Sequence, residues 1–150
     1  MAQKVLFVCL GNICRSPAAQ GIVRHLAPEL ETDSAGTAAW HVGKPPYQAM
    51  QEAIVRRGLD ISDLRARQFT SSDYQQFDLI IVMDSDNQAD VESLRPPGSQ
   101  TPVSLFTDFA KRSAQDHVPD PYYTRDFDGC LDLLEQAAHG LKAALIYSDS

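Results

Sequence analysis

The chain is poor in several things at once. It has three cysteines and one tryptophan in 150 residues. Three is an odd number and too few for a disulfide scaffold, so the small cross-linked secreted folds are excluded and a reducing, cytoplasmic compartment is expected. No long apolar run is present. The first, residues 5–10, is broken by Gly11, Asn12 and Arg15, which makes it neither a signal peptide nor a membrane span. Positive charge is scarce: 13 Lys and Arg against 20 Asp and Glu give a net charge of −7, which argues against broad binding to nucleic acid or an anionic membrane. There is no Gly-Lys-Ser/Thr of a nucleotide loop. Cys9 and Cys14 have no second Cys or His pair at ligand spacing, so neither a metal nor a cofactor is expected. No repeat or low-complexity tract divides the chain. Its 43% hydrophobic content suits one domain, residues 1–150, with a sizeable core.

What is present alternates between strand and helix patterns. Residues 4–9 form an apolar, β-branched and aromatic run without polar alternation, as a buried strand does. Pro17 suits a first helical position with Ser16 as N-cap, and Ala19, Ile22, Val23 and Leu26 trace one helical face up to Pro28. A short strand is expected at 31–35 and a helix at 47–57, with Met50, Ala53 and Ile54 inward and Gly58 as its stop. One helical turn is expected after Ser71. Residues 78–83 read as a second buried strand and 84–94 as a helix stopped by Pro96 and Pro97. A weaker strand at 101–106 is restricted by Pro102 to its start or to a sheet edge. After a loop at 116–123, a last helix at 127–146 carries Cys130, Leu134, Ala137, Leu141 and Ala144 on its apolar side. The expected fold is therefore α/β: three αβα layers around a parallel sheet of about four strands. Ligands in such sheets bind beyond the carboxyl ends of the strands, where Cys9 and the pair Met83-Asp84 both fall.

The loop between the first strand and first helix, Cys9-Leu10-Gly11-Asn12-Ile13-Cys14-Arg15-Ser16-Pro17, places a nucleophile and a fixed cation one loop-width apart. Gly11 frees the backbone to turn several N–H groups to one centre. The helix start adds its positive end, and Arg15 offers a planar fork for two phosphate oxygens. All three favour Cys9 as thiolate, and Ser16 could donate to its sulfur. On spacing alone, a buried strand-end cysteine beside an ordinary surface arginine remains open.

The order of motifs goes further. Cys9-x5-Arg15-Ser16 directly after the first strand resembles the signature loop of the low-molecular-weight protein tyrosine phosphatases. Asp33-Ser34-Ala35-Gly36-Thr37, Trp40, Met83-Asp84 and Asp120-Pro121-Tyr122-Tyr123 resemble that family's other motifs in the same order. The resemblance implies Cys9 as nucleophile forming a cysteinyl phosphate, Arg15 as holder of the phosphoryl oxygens, and Asp120 as general acid and then base, chosen over Asp116, Asp126 and Asp128 because it precedes Pro121-Tyr122-Tyr123. It implies that Leu10, Gly11, Asn12, Ile13, Cys14, Ser16, Trp40, Tyr122 and Tyr123 contact the substrate. A deep slot with an aromatic rim favours phosphotyrosine over phosphoserine; relatives acting on phosphoarginine carry threonine where Ile13 stands. Asn12, Ser16 and Ser34 resemble a network supporting the loop. Animal members carry a histidine where Leu64 stands, so this network is one member short or wired differently. Cys14 is either a small packing residue under the loop or, as the resemblance implies, a partner that protects Cys9 from over-oxidation by a disulfide. Cys130 is expected in the core, and Trp40 either as rim or as a partly buried loop anchor. None of His25, His41, His117 and His139 has a partner suggesting catalysis, although His117 lies near the acid loop.

Two other functions compete. Thiol-coupled arsenate reductases share the fold and loop but relay electrons through further cysteines, and this chain has none between Cys14 and Cys130. A phosphotyrosine-binding module without turnover would not need Cys9, Arg15 and Asp120 together. Expected partners are phosphotyrosine-containing proteins, with a tyrosine kinase among the candidates, and a monomer is the default.

Overall fold

In a computed structural model, which describes residues 3–147, four strands form one parallel sheet. They are β1 (Lys4–Cys9), β2 (Glu31–Gly36), β3 (Leu79–Val82) and β4 (Val103–Leu105), in the order β2-β1-β3-β4. The helices are α1 (Arg15–Leu26), α2 (Gln48–Val55), α3 (Asp73–Gln76), α4 (Ser85–Ser93), α5 (Pro121–Thr124) and α6 (Phe127–Lys142).

Side chains alternate across β1 and so feed two cores. Val5, Phe7 and Cys9 face the cluster built with Ile22 of α1, Ile54 of α2 and Leu134 of α6. Leu6 and Val8 face a second cluster with Tyr74 of α3 and Val91 of α4. Both faces of the central strands are thus covered, as an unalternating apolar sequence requires. This is the expected three-layer αβα arrangement. Among the described residues no helix is long and apolar enough to cross a membrane.

Several local expectations change. Ser16 is not an N-cap: α1 starts at Arg15, Cys14 occupies the cap position, and no side chain caps the helix. Ser16 is instead fully buried and bonded inward to the loop. The segment 116–123 is not loop throughout, because Asp120 caps the short helix α5 by accepting from the Tyr122 N–H at 3.1 Å. β4 is a three-residue edge strand, and Pro102 lies just before it, where its carbonyl still accepts from the Ile80 N–H. After Lys142 the chain widens into a π-type turn over Ala143–Tyr147, so that Ala144 is exposed and Leu145 and Ile146 pack against the core instead. α2 stops at Val55, short of the expected 57, and Gly58, with φ 84°, closes the turn that follows by donating to the Val55 carbonyl.

Candidate active site

Beyond the carboxyl ends of β1 and β2 lies a pocket of about 240 Å³, lined by Cys9, Leu10, Gly11, Ile13, Cys14, Trp40, His41, Asp120, Tyr122 and Tyr123. Its floor is the loop leaving β1. The Cys9 sulfur accepts from the Asn12 N–H at 3.3 Å and lies 3.0 Å from the Ser16 hydroxyl. Asn12 Nδ2 donates to the same hydroxyl oxygen at 2.7 Å. The Ser16 proton is thereby free to point at the sulfur, the nearer acceptor, or at the Ala35 carbonyl 3.4 Å away. The Asn12 N–H and the Ser16 hydroxyl thus fix where the buried sulfur sits on the pocket floor.

Gly11 does not supply the left-handed backbone expected of it. That conformation belongs to Asn12, with φ 56°, a residue that tolerates it better than most. Space is tight at Gly11, where a Cβ would sit 3.1 Å from Cδ2 of the His41 side chain. Gly36 is needed for space at the end of β2, where a Cβ would come 2.8 Å from the Leu10 carbonyl oxygen.

The loop's support is wired differently from the expected network. Asn12 Oδ1 accepts from the backbone N–H of Arg67 at 3.0 Å. Arg67 is fixed in turn by a pair of bonds from its guanidinium to Asp73 at 3.0 and 3.2 Å and by Asp33. No histidine is required at position 64, and Leu64 packs against the larger core. The hydroxyl of Ser34, expected to support the loop, donates to Gln20 Oε1 on α1 at 2.7 Å.

Arg15 is only 2% exposed. One of its terminal nitrogens, Nη1, is committed to the scaffold, donating to Asp84 Oδ2 at 2.7 Å and to the Val118 carbonyl at 3.0 Å. The other reaches Asp120 Oδ2 at 3.4 Å. Its Nε–H has no partner among the described residues. Burial alone would lower the Arg15 pKa, but Cys9, the bond to Asp84 and the charge of Asp120 outweigh it and hold the guanidinium above its ordinary value. It is a fixed cation with a buried donor to spare. Asp84 does two jobs, capping α4 through the Asn87 N–H at 2.8 Å while orienting Arg15. Its place immediately after a buried strand marks it in the sequence; its bond to Arg15 leaves no such sign.

Above this floor stand exposed aromatics. Trp40 is 67% exposed, which makes it rim and not anchor, and Tyr122 and Tyr123 contact each other edge to face at 5.3 Å. His41 lines the pocket although nothing in the sequence singled it out. His117 pairs with exposed Asp116 at 2.8 Å. Cys14 and Cys130 are buried thiols. Burial and then the Cys9 charge push Cys14 far up, and burial pushes Cys130 up to about 12. α1 begins without a side-chain cap and without an acid in its first turn, leaving its first N–H groups available to an anion.

A buried thiol, a fixed cation with spare donors, an uncapped helix start and a carboxyl across the pocket suit attack on a phosphoryl group. The family described as low molecular weight phosphotyrosine protein phosphatase matches over residues 4–148. The chain is 38% identical to the low molecular weight protein-tyrosine-phosphatase YfkJ of Bacillus subtilis, with 94% of each chain covered. It superposes on that protein's crystal structure with a TM-score of 0.93, at 36% identity and covering 100% of this chain and 98% of the other. A low molecular weight phosphotyrosine protein phosphatase of Schizosaccharomyces pombe is 42% identical over 80% of this chain and 81% of its own. Vibrio vulnificus Wzb in complex with benzylphosphonate superposes with a TM-score of 0.86, at 29% identity, covering 97% and 100% of the two chains.

Proposed function

The chain belongs to the low molecular weight protein tyrosine phosphatase family, and on that premise we propose that Cys9, Arg15 and Asp120 carry its reaction. The activity is hydrolysis of phosphotyrosine through a cysteinyl phosphate. The observation that most supports the assignment is the split guanidinium of Arg15: Nη1 is tied to Asp84 and Val118, while buried Nε has no partner and Nη2 only the long contact to Asp120.

In the first step the Cys9 thiolate attacks phosphorus, an S–P bond forms and the P–O bond to the ring breaks. Asp120, protonated, gives its proton to the departing phenolate. Arg15 and the N–H groups of the loop hold the three equatorial oxygens, where charge accumulates. In the second step Asp120, now a carboxylate, takes a proton from a water molecule that attacks phosphorus. The S–P bond breaks, inorganic phosphate leaves and the thiolate returns. Neither step asks for a metal, because Arg15 and the loop dipoles neutralise the transferring group.

Leu10, Gly11, Asn12, Ile13, Cys14 and Ser16 form the floor that receives the phosphoryl group. Leu10, Ile13, Trp40 and Tyr122 also flank the ring, with Tyr123 beside them, and the benzylphosphonate held by Wzb, an arylmethyl phosphonate, supports an aryl group in this slot. Substrates are phosphotyrosine-containing proteins, with a tyrosine kinase among them as a further candidate. Residues 1–150 act as one phosphatase domain, monomeric and cytoplasmic; three free, buried cysteines suit that compartment. Cys14, which shares the pocket with Cys9, is the candidate partner for a reversible disulfide under oxidation. Ser34 supports the loop only indirectly, by bracing α1 through Gln20.

A phosphotyrosine peptide and an aryl phosphate, assayed with wild type, Cys9→Ser and Asp120→Asn, test the assignment. Turnover retained by Cys9→Ser overturns it. A peptide bound but never hydrolysed by wild type points to a binding module, and arsenate-dependent thioredoxin oxidation to a reductase.

A further inference from the structure

Asp120 sits on a four-residue helix whose residues, apart from Pro121, are exposed or only partly buried. Upstream, the buried Val118 anchors the segment through its N–H to the Met83 carbonyl at 2.8 Å. Downstream, α5 ends at Arg125, whose left-handed backbone (φ 64°) turns the chain toward α6. The Arg125 side chain folds back across that turn. Nη1 donates to the Tyr47 hydroxyl at 3.1 Å and to the Tyr122 carbonyl at 3.4 Å. Its guanidinium carbon lies 5.3 Å from the centre of the Tyr47 ring and 5.2 Å from that of Phe127. Tyr47 in turn meets Tyr122 edge to face at 5.3 Å. Its backbone N–H donates to the Ile13 carbonyl of the phosphate loop at 2.8 Å.

We propose that Arg125, anchored on Tyr47, is a positioning residue that sets the height of Asp120 over Cys9. The route is continuous: phosphate loop, Tyr47, Arg125, then the α5 turn that begins at Asp120. Without Arg125 the acid keeps its upstream anchor, but its turn loses the strut tying it to the other wall of the pocket. A few tenths of an ångström there matter, because proton transfer to a leaving oxygen needs hydrogen-bond reach.

The proposal rests on Asp120 being the general acid, and the test separates the two. A phenolate needs a proton more than a 4-nitrophenolate does, so a misplaced acid slows phenyl phosphate selectively. We expect Arg125→Ala to lower kcat/KM for phenyl phosphate about tenfold, equivalent to about 1.4 kcal/mol, and for 4-nitrophenyl phosphate less than about twofold. Competitive inhibition by inorganic phosphate stays unchanged, since the loop is intact. Tyr47→Phe, which keeps both rings but removes the acceptor, shows the same pattern with a smaller loss, and Arg125→Lys recovers part of it. Equal losses on the two esters in Arg125→Ala, no loss, or weakened phosphate inhibition overturns the proposal. If Asp120→Asn itself slows both esters equally, the acid assignment fails instead.

Discussion

The phosphate loop and the acid turn face each other across one pocket, yet they are held in opposite ways. Cys9, Asn12, Arg15 and Ser16 are each at most 3% exposed. Their polar atoms bond inward, to one another, to Arg67 and to Asp84. The left-handed backbone at Asn12 persists there because the surroundings over-determine it. Across the pocket, Tyr122 is 41% and Tyr123 68% exposed, and the turn that carries Asp120 leans on a handful of long-range contacts. Groups that must meet developing charge without rearranging belong on the rigid side. The group that meets a leaving oxygen of variable size sits on the adjustable side. The first wall should therefore fail in stability and rate together, the second in rate alone.

Cys9→Ser gives the largest effect: a loss of about 10⁵-fold or more in aryl phosphate hydrolysis, because a nucleophile is removed outright. Asp120→Asn comes next, at about 10²–10³-fold in kcat/KM, with the melting temperature hardly moved, since its carboxyl is on the loosely held wall. Asn12→Ala is the sharper comparison. It removes the bonds to Ser16 and Arg67 and puts alanine in a left-handed backbone, so stability should fall by about 2 kcal/mol and the melting temperature by roughly 4–8 °C, alongside a rate loss of about tenfold or more. Tyr123→Ala should leave the melting temperature alone and raise KM for a phosphotyrosine peptide by about two- to fivefold. A fall in melting temperature for Tyr123→Ala as large as for Asn12→Ala would erase the distinction between the walls. The subtlest check is chemical. Burial holds Cys14 and Cys130 protonated well above neutral pH, so iodoacetamide at pH 8 should label Cys9 in the folded protein and all three thiols only in denaturant, as read by mass spectrometry.

The sheet was legible because buried parallel strands advertise themselves. Residues 5–9 and 79–83 are apolar without alternation, and the helices between them carry apolar faces at helical spacing. The floor of the pocket was legible because nucleophile and cation share one short loop. Other features depend on partners far along the chain and leave no local trace. Asn12 is held by Arg67, 55 positions away, Arg15 by Asp84, 69 away, and Arg125 reaches Tyr47 across 78. Ser16 beside Pro17 had the form of a helix cap, but the pull of Cys9 and Asn12 drew it inside the loop. Gly11 invited a conformational reading, but the left-handed backbone falls on Asn12 and His41 crowds Gly11 instead. The turn at Asp120-Pro121 reads as loop because four residues are too few for a periodicity to show.

On the proposed mechanism every phosphoryl group passes through the sulfur of Cys9. Quenching turnover of 4-nitrophenyl phosphate and mapping the peptides by mass spectrometry tests it directly. One added phosphoryl group is expected on the peptide containing Cys9, accumulating further in Asp120→Asn, where no base activates water, and absent in Cys9→Ser. Phosphate release by the wild type with the group on any other residue, or on none under conditions where Asp120→Asn turns over, would contradict it.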